Sequence, residues 1–230
     1  MRFPELLSET GFLSRERRSK FLLASILLFF LLAPVLEERE IGRLILVFNL
    51  YVTLLSATME LVERRILFLS AIPIAFSSMV LLLLSHYRPT RLLLIVNGVV
   101  LAMFLLLVAI SLFIFLGLHR GSTSARLTIS VSLYFLLGLS WFAIYNVINS
   151  VQPGSIAEAG TPITGVAHWS TILYFSMVTL TTLGYGDVIA IRPAARMLAV
   201  LEASAGVLYL AITVARLVGA AQTARSQQKE

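Results

Sequence analysis

From Leu92 to Gly117 the chain carries no Lys, Arg, Asp or Glu. A helix needs about 20 apolar residues to cross the hydrocarbon core of a bilayer, and this run is longer. Five further apolar stretches accompany it: Phe21–Leu36, Leu44–Ala57, Ile66–Ser85, Leu127–Ile148 and Ala195–Gly219. The first two are short, which places their polar flanks at the interfaces. Inside lipid every backbone polar group must be satisfied within the chain, so long apolar runs become helices. The sequence thus predicts an all-α membrane protein with six transmembrane helices. Of its 230 residues 58% are hydrophobic and only 13% are charged, against about 25% charged in a soluble domain. That leaves too little polar surface for a shell facing water on all sides.

Basic residues orient the spans. With the N-terminus cytoplasmic, Arg39, Arg43, Arg88, Arg91, Arg192 and Arg196 fall outside, and the other twelve of the 18 Lys and Arg fall inside. Cytoplasmic loops carry the Lys and Arg excess, so both termini are expected in the cytoplasm, in a plasma (cell inner) membrane. The acidic pair Glu37-Glu38 falls outside. Met1–Lys20 is polar and no small-residue cleavage site follows the first apolar run, unlike a signal peptide. This segment, with Pro4 near a helix start and Phe12-Leu13 before Arg15-Glu16-Arg17-Arg18, reads either as a helix lying on the inner leaflet or as a tail anchoring the first span. The net charge of +6 comes from clusters at span ends and gives no basic face for nucleic acid. There is no Cys, which removes disulfides, thiolate metal sites and Cys nucleophiles. Neither a His/Glu metal cluster nor a Ser/His pair is evident, so the chain is not expected to be an enzyme and no cofactor is expected.

The stretch that carries chemistry lies before the last span. His168–Thr181 is apolar but too short to cross, and reads as a re-entrant helix, tolerated at membrane depth only where it is buried in protein or lines water. Its C-terminal end, the negative end of the helix dipole, favours a cation. Thr181-Thr182-Leu183-Gly184-Tyr185-Gly186-Asp187 follows. A file of backbone carbonyls aimed at one axis replaces an ion's hydration shell, and such a backbone must alternate in handedness. Glycine at every second position, as at Gly184 and Gly186, permits this at little cost. Thr182 adds carbonyl and hydroxyl oxygens below, while Leu183 and Tyr185 are expected to point away from the axis and wedge the strand against its pore helix.

From Tyr174 to Asp187 these residues resemble the pore signature of the potassium channel family, written Thr-Val-Gly-Tyr-Gly-Asp. The resemblance covers the pore helix and filter closely and extends over about Leu127 to Gly219. It implies K+ coordination by Thr182, Leu183, Gly184, Tyr185 and Gly186. It also implies a pore of four identical chains, since one strand cannot ring an ion. Leu183 departs from the family's usual Val, a change in packing rather than in the ion. Tyr185 stands where less selective members carry an acid. Asp187 resembles the family acid that bonds behind the filter to an aromatic donor, here Tyr174, with Thr181 alongside. Asp187 also reads as an outer-mouth charge that concentrates cations, and the two roles are compatible. Trp169 reads as an interfacial anchor.

The last span resembles the family's inner helix. Gly206 falls close to the family's hinge glycine, and glycine weakens a helix by about 1 kcal/mol relative to Ala. Close packing against a neighbouring helix is the other reading. Val207, Leu210, Val214 and Val218 form a stripe expected to line the lower cavity and to close by dewetting. Glu202 is an acid inside a span, which is costly and therefore a functional candidate. Three placements stay open for it: behind the pore helix on a hydroxyl, facing the cavity, or paired with Arg196.

Six spans with the pore last is the layout of voltage-gated cation channels. This gives four regions: residues 1–20, a four-helix module at 21–120, a pore domain at 121–219, and a tail at 220–230. Voltage sensing needs several charges crossing the field, and Leu92–Gly117 has none, so strong voltage dependence is not expected. The tail is too short for a nucleotide- or calcium-binding domain. His86 and His168 outside and His119 inside are candidates for pH sensing, with an ordinary interface role as the other reading. Asn49 and Asn97, in apolar spans, call for hydrogen-bond partners between helices. Two other functions remain open: a non-conducting regulatory or sensor subunit, and a less selective cation channel.

Overall fold

A computed structural model describes residues 15–36, 39–61, 65–88, 90–117, 123–164 and 169–227. Of the expected N-terminal segment over residues 1–20, residues 1–14 lie outside the described residues, as do Glu37-Glu38, His119 and His168, while residues 15–20 form the start of the first helix. Among the described residues, six helices are long and apolar enough to cross a membrane. They are α1 (Arg15–Leu36), α2 (Glu40–Glu60), α3 (Arg65–Tyr87), α4 (Arg91–Gly117), α5 (Thr123–Val151) and α7 (Pro193–Gln227). A shorter apolar helix, α6 (Trp169–Leu180), precedes the last.

The all-α membrane architecture read from the hydropathy is the one observed. Each helix runs beyond its apolar stretch, because helical hydrogen bonding continues into the polar flanks. The first two spans are therefore not short: α1 has 22 residues and α2 has 21. Nor does the last helix end at Gly219; it continues to Gln227.

α5 is the hub. It packs against α1 and α4 on one side and against α6 and α7 on the other. Ile129, Leu133, Leu136 and Leu139 are fully buried along it, and join Leu22, Ile26 and Phe29 of α1 and Phe104, Leu105 and Val108 of α4 in one continuous apolar core. Of the four leading helices, α1 and α4 thus lie directly on α5, while α2 packs on α1 and α3 on α4. α4 approaches α5 closely at Gly98, where an added Cβ would come within 2.6 Å of Val147 Cγ2. Arg91 begins α4 and donates from Nε to Ser150 O at 3.0 Å, and from Nη2 to Val151 O. A cation at the C-terminal end of α5 complements the helix dipole.

Between α5 and α7 the chain also forms a small antiparallel sheet that the sequence reading did not anticipate. Its strands are β1 (Ile156–Glu158), β2 (Thr161–Pro162) and β3 (Val188–Ala190), in the order β2-β1-β3. Ala159 and Gly160 make the tight turn between β1 and β2 with φ of 46° and 82°. Two successive positive φ values are what a two-residue turn with strand-matching twist requires.

Candidate functional site: a short helix and strand held between two long helices

α6 is clamped between two glycines. A Cβ on Gly138 of α5 would overlap Met177 Sδ, and one on Gly206 of α7 would overlap the carbonyl oxygen of Leu180, the last residue of α6. Glycine therefore lets both long helices approach the short one at backbone distance. α7 runs without interruption through Gly206, so in this conformation the glycine serves the close-packing alternative.

Past Leu180 the backbone changes handedness at every second residue. Thr182, Gly184 and Gly186 have φ of 60°, 58° and 84°. Positive φ is easy for glycine and uncommon for threonine, so Thr182 is held there by its surroundings. Its N–H donates to Thr179 O at 3.0 Å, and the N–H of Leu183 donates to Val178 O at 2.9 Å. Thr181 donates from Oγ1 to Met177 O at 2.7 Å, which finishes the helix C-terminus. Leu183 and Tyr185, expected to wedge the strand against its pore helix, are largely exposed on the single chain, by 57% and 69%, and backbone bonds hold the strand to α6.

Tyr174 donates its hydroxyl to Asp187 Oδ2 at 2.7 Å, and the N–H of Val188 donates to Oδ1 at 2.9 Å. The phenol, and secondarily the amide, hold the Asp187 carboxyl below the usual carboxylate range, while the same bond pushes the Tyr174 phenol up to about 12. The carbonyl of Asp187 accepts from Ala159 N at 2.8 Å, and β3 follows at once, paired with β1. The strand is thus fastened at its far end by one side chain and by a sheet.

That sheet depends on residues that the sequence reading passed over. Asn149, buried near the end of α5, donates to Ile163 O at 3.1 Å and accepts from Ser155 N at 3.1 Å. The N–H of Ile191 donates to Ser155 O at 2.8 Å. The signal available was local: Pro153-Gly154 and Ala159-Gly160 are turn pairs, and they bracket a three-residue strand.

Of the three placements open for Glu202, the structure takes the first. Its side chain is fully buried, with Oε1 2.6 Å from Ser176 Oγ on α6 and Oε2 2.7 Å from the Tyr145 hydroxyl on α5. The Arg196 guanidinium instead donates to Ala190 O at 3.2 Å. Ala195, Glu202, Gly206 and Tyr209 mark the buried stripe of α7, whereas Val207, Leu210, Val214 and Val218 are exposed, each by half or more. Trp169 stacks edge-on against Phe142, 6.4 Å between ring centres.

Asn49 and Asn97 do not meet the interhelical partners expected for them: the Oδ1 atoms of both are buried and accept no hydrogen bond. Asn97 instead borders a cavity of about 560 Å³ among α2, α3, α4 and α5, to which Arg43 and Arg91 also contribute. The cavity is mostly apolar, and the polar side chains of Glu40, Arg43, Arg91, Asn146 and Asn149 that also line it give the Asn97 amide polar neighbours in an otherwise apolar span.

With this geometry in place, comparison with known proteins points one way. Residues 131–223 match a family described as "Ion channel". The chain is 36% identical over 77 residues to the inward rectifier potassium channel Kirbac3.1 of Paramagnetospirillum magnetotacticum. That alignment takes in 34% of this chain and 22% of the relative, so the chain spans about a fifth of the curated relative that it matches. No solved structure matches. The residues matched to that family take in most of α5, all of α6 and the alternating strand, and most of α7.

Proposed function

We propose that four copies of this chain form a potassium-selective pore, each contributing the strand from Thr182 to Gly186. The observation that carries this is the alternation of positive φ at Thr182, Gly184 and Gly186. It turns successive carbonyls to one side of the strand, the arrangement that replaces a hydration shell. A single strand offers oxygens from one direction, so several copies must surround the ion. The exposure of Leu183, Tyr185 and one apolar stripe of α7 supports the same reading, because these side chains are free to pack against neighbouring copies or to line their common axis. The carbonyl ends of α6 aim their partial negative charge toward that axis. Both termini face the cytoplasm, and no bound cofactor is needed for passive conduction.

The test is ion flux in liposomes holding the purified protein, under a potassium gradient and then a sodium gradient. Potassium flux well above sodium flux is expected. No potassium flux would reject conduction, and equal sodium flux would reject selectivity in favour of a general cation pathway.

A further inference from the structure

The buried contacts of Glu202 carry a proton count. Three short oxygen–oxygen contacts join four groups: Tyr145 hydroxyl to Glu202 Oε2 at 2.7 Å, Ser176 Oγ to Glu202 Oε1 at 2.6 Å, and Ser176 Oγ to Gly138 O at 2.8 Å. Each contact needs one hydrogen. The Gly138 carbonyl has none to give, and the Tyr145 and Ser176 hydroxyls supply one each. With an ionised Glu202 the network holds two hydrogens for three contacts, and either Gly138 O or Glu202 Oε1 goes without. The Gly138 carbonyl keeps its helical partner within α5, but two oxygens held 2.6–2.8 Å apart with no hydrogen between them repel, since such a distance is that of an O–H···O bond. With a neutral Glu202 the third hydrogen is present, and every contact is satisfied in one direction.

We propose that Glu202 is a neutral carboxylic acid that donates to Ser176 Oγ, which in turn donates to Gly138 O, and that this chain of bonds positions α6 and the strand after it. The inference rests on the pore reading of that strand, but the protonation state does not. Glu202 stands on α7, Ser176 on α6, and Gly138 with Tyr145 on α5, so one network ties together the three helices around the strand. The groups about Glu202 agree with a neutral acid. Its resolved polar contacts are with hydroxyls, the other titratable side chain acting on it is the phenol of Tyr134 on α5, and no cation pairs with it among the described residues. Ser176 and Glu202 are both fully buried. Gly138 is what brings α5 close enough for its carbonyl to meet Ser176. Glu202 touches no permeating ion in this arrangement and is a positioning residue.

The decisive measurement is the infrared difference between the wild-type chain and Glu202→Gln in liposomes. A carbonyl stretch of a protonated carboxyl, present in wild type and absent from Glu202→Gln, is expected. A difference confined to the ionised-carboxylate bands would overturn the proposal. Flux gives the functional readout. Glutamine keeps a donor toward Ser176 and an acceptor toward Tyr145, so potassium flux within about threefold of wild type is expected. Glu202→Ala and Ser176→Ala, which strand a buried partner, should lose at least about tenfold. Glu202→Gln as impaired as Glu202→Ala would sink the positioning role. If wild type itself passes no ions, the pore reading fails, and the infrared difference still decides the protonation state.

Discussion

Gly184 tests a single backbone conformation. Its φ is +58° and an added Cβ would meet no atom within 4 Å on the same chain. The cost of Gly184→Ala is therefore conformational, about 1–2 kcal/mol for each left-handed alanine, and it would recur in every copy around the pore. Loss of potassium flux with assembly intact is expected, and unchanged flux would reject the filter assignment. The Tyr174–Asp187 bond makes a pH prediction. Because the folded carboxyl titrates below its ordinary value of about 4, its contribution is fully present above that value. It is lost as pH falls through the lower, folded one. In wild type, the ratio of potassium to sodium flux should hold to mild acidity and then decline as the outer solution is acidified further. Tyr174→Phe should show a reduced ratio already at neutral pH. If Tyr174→Phe matches wild type throughout, the bond does not support the strand.

Elements raise a different question, which is why α6 can sit between two long helices at all. Both clamping contacts involve glycine, but their neighbours differ. The atom that would oppose a Cβ on Gly138 is the Sδ of Met177, the flexible part of a side chain, while the one opposing Gly206 is the backbone oxygen of Leu180. A side chain can turn away; a carbonyl moves only with its helix. Gly206→Ala should therefore destabilise the protein more than Gly138→Ala, by about 1–3 kcal/mol as for other overpacked sites. Thermal unfolding of the two variants in detergent is the check. Equal midpoints would show that α7 shifts freely against α6, as the hinge alternative requires.

Across the whole molecule, the four leading helices join α5 through α1 and α4, and α4 reaches α7 as well. Arg216 of α7 lies over the Phe113 ring, 4.6 Å from its centre, beside the C-terminal end of α4. These helices thus have a physical route to the lower half of α7, where Val214 and Val218 lie. What they lack is a reason to move with voltage. α4 has no charge beyond Arg91, and each elementary charge crossing the field contributes about 2.3 kcal/mol per 100 mV. Stepping the potential across a planar bilayer should leave open probability nearly flat. A steep dependence would mean that charge outside α4 crosses the field.

How much of this was legible in the chain itself depends on the range of the interactions. Leu92–Gly117 dictated a spanning helix because lipid offers no other partner for its backbone, and Gly184 and Gly186 announced an alternating strand because few other residues adopt positive φ so cheaply. Tyr174 and Asp187 lie thirteen residues apart in one short segment, and their bond was anticipated through that segment's resemblance to the potassium channel pore signature. The placement of Glu202 was not readable, since its partners Ser176 and Tyr145 stand 26 and 57 residues away and nothing in a helical sequence says which neighbour a buried acid will meet. The same holds for the packing of Gly206 on Leu180, for the sheet that Asn149 and Ser155 secure beside the strand, and for the exposure of Leu183. Local chemistry in the sequence determined which segments are long and apolar enough to cross a membrane and which backbone alternates in handedness. Only the tertiary structure decided what holds that backbone in place, because a buried hydrogen bond or a backbone-to-backbone approach exists only once distant helices have been brought together.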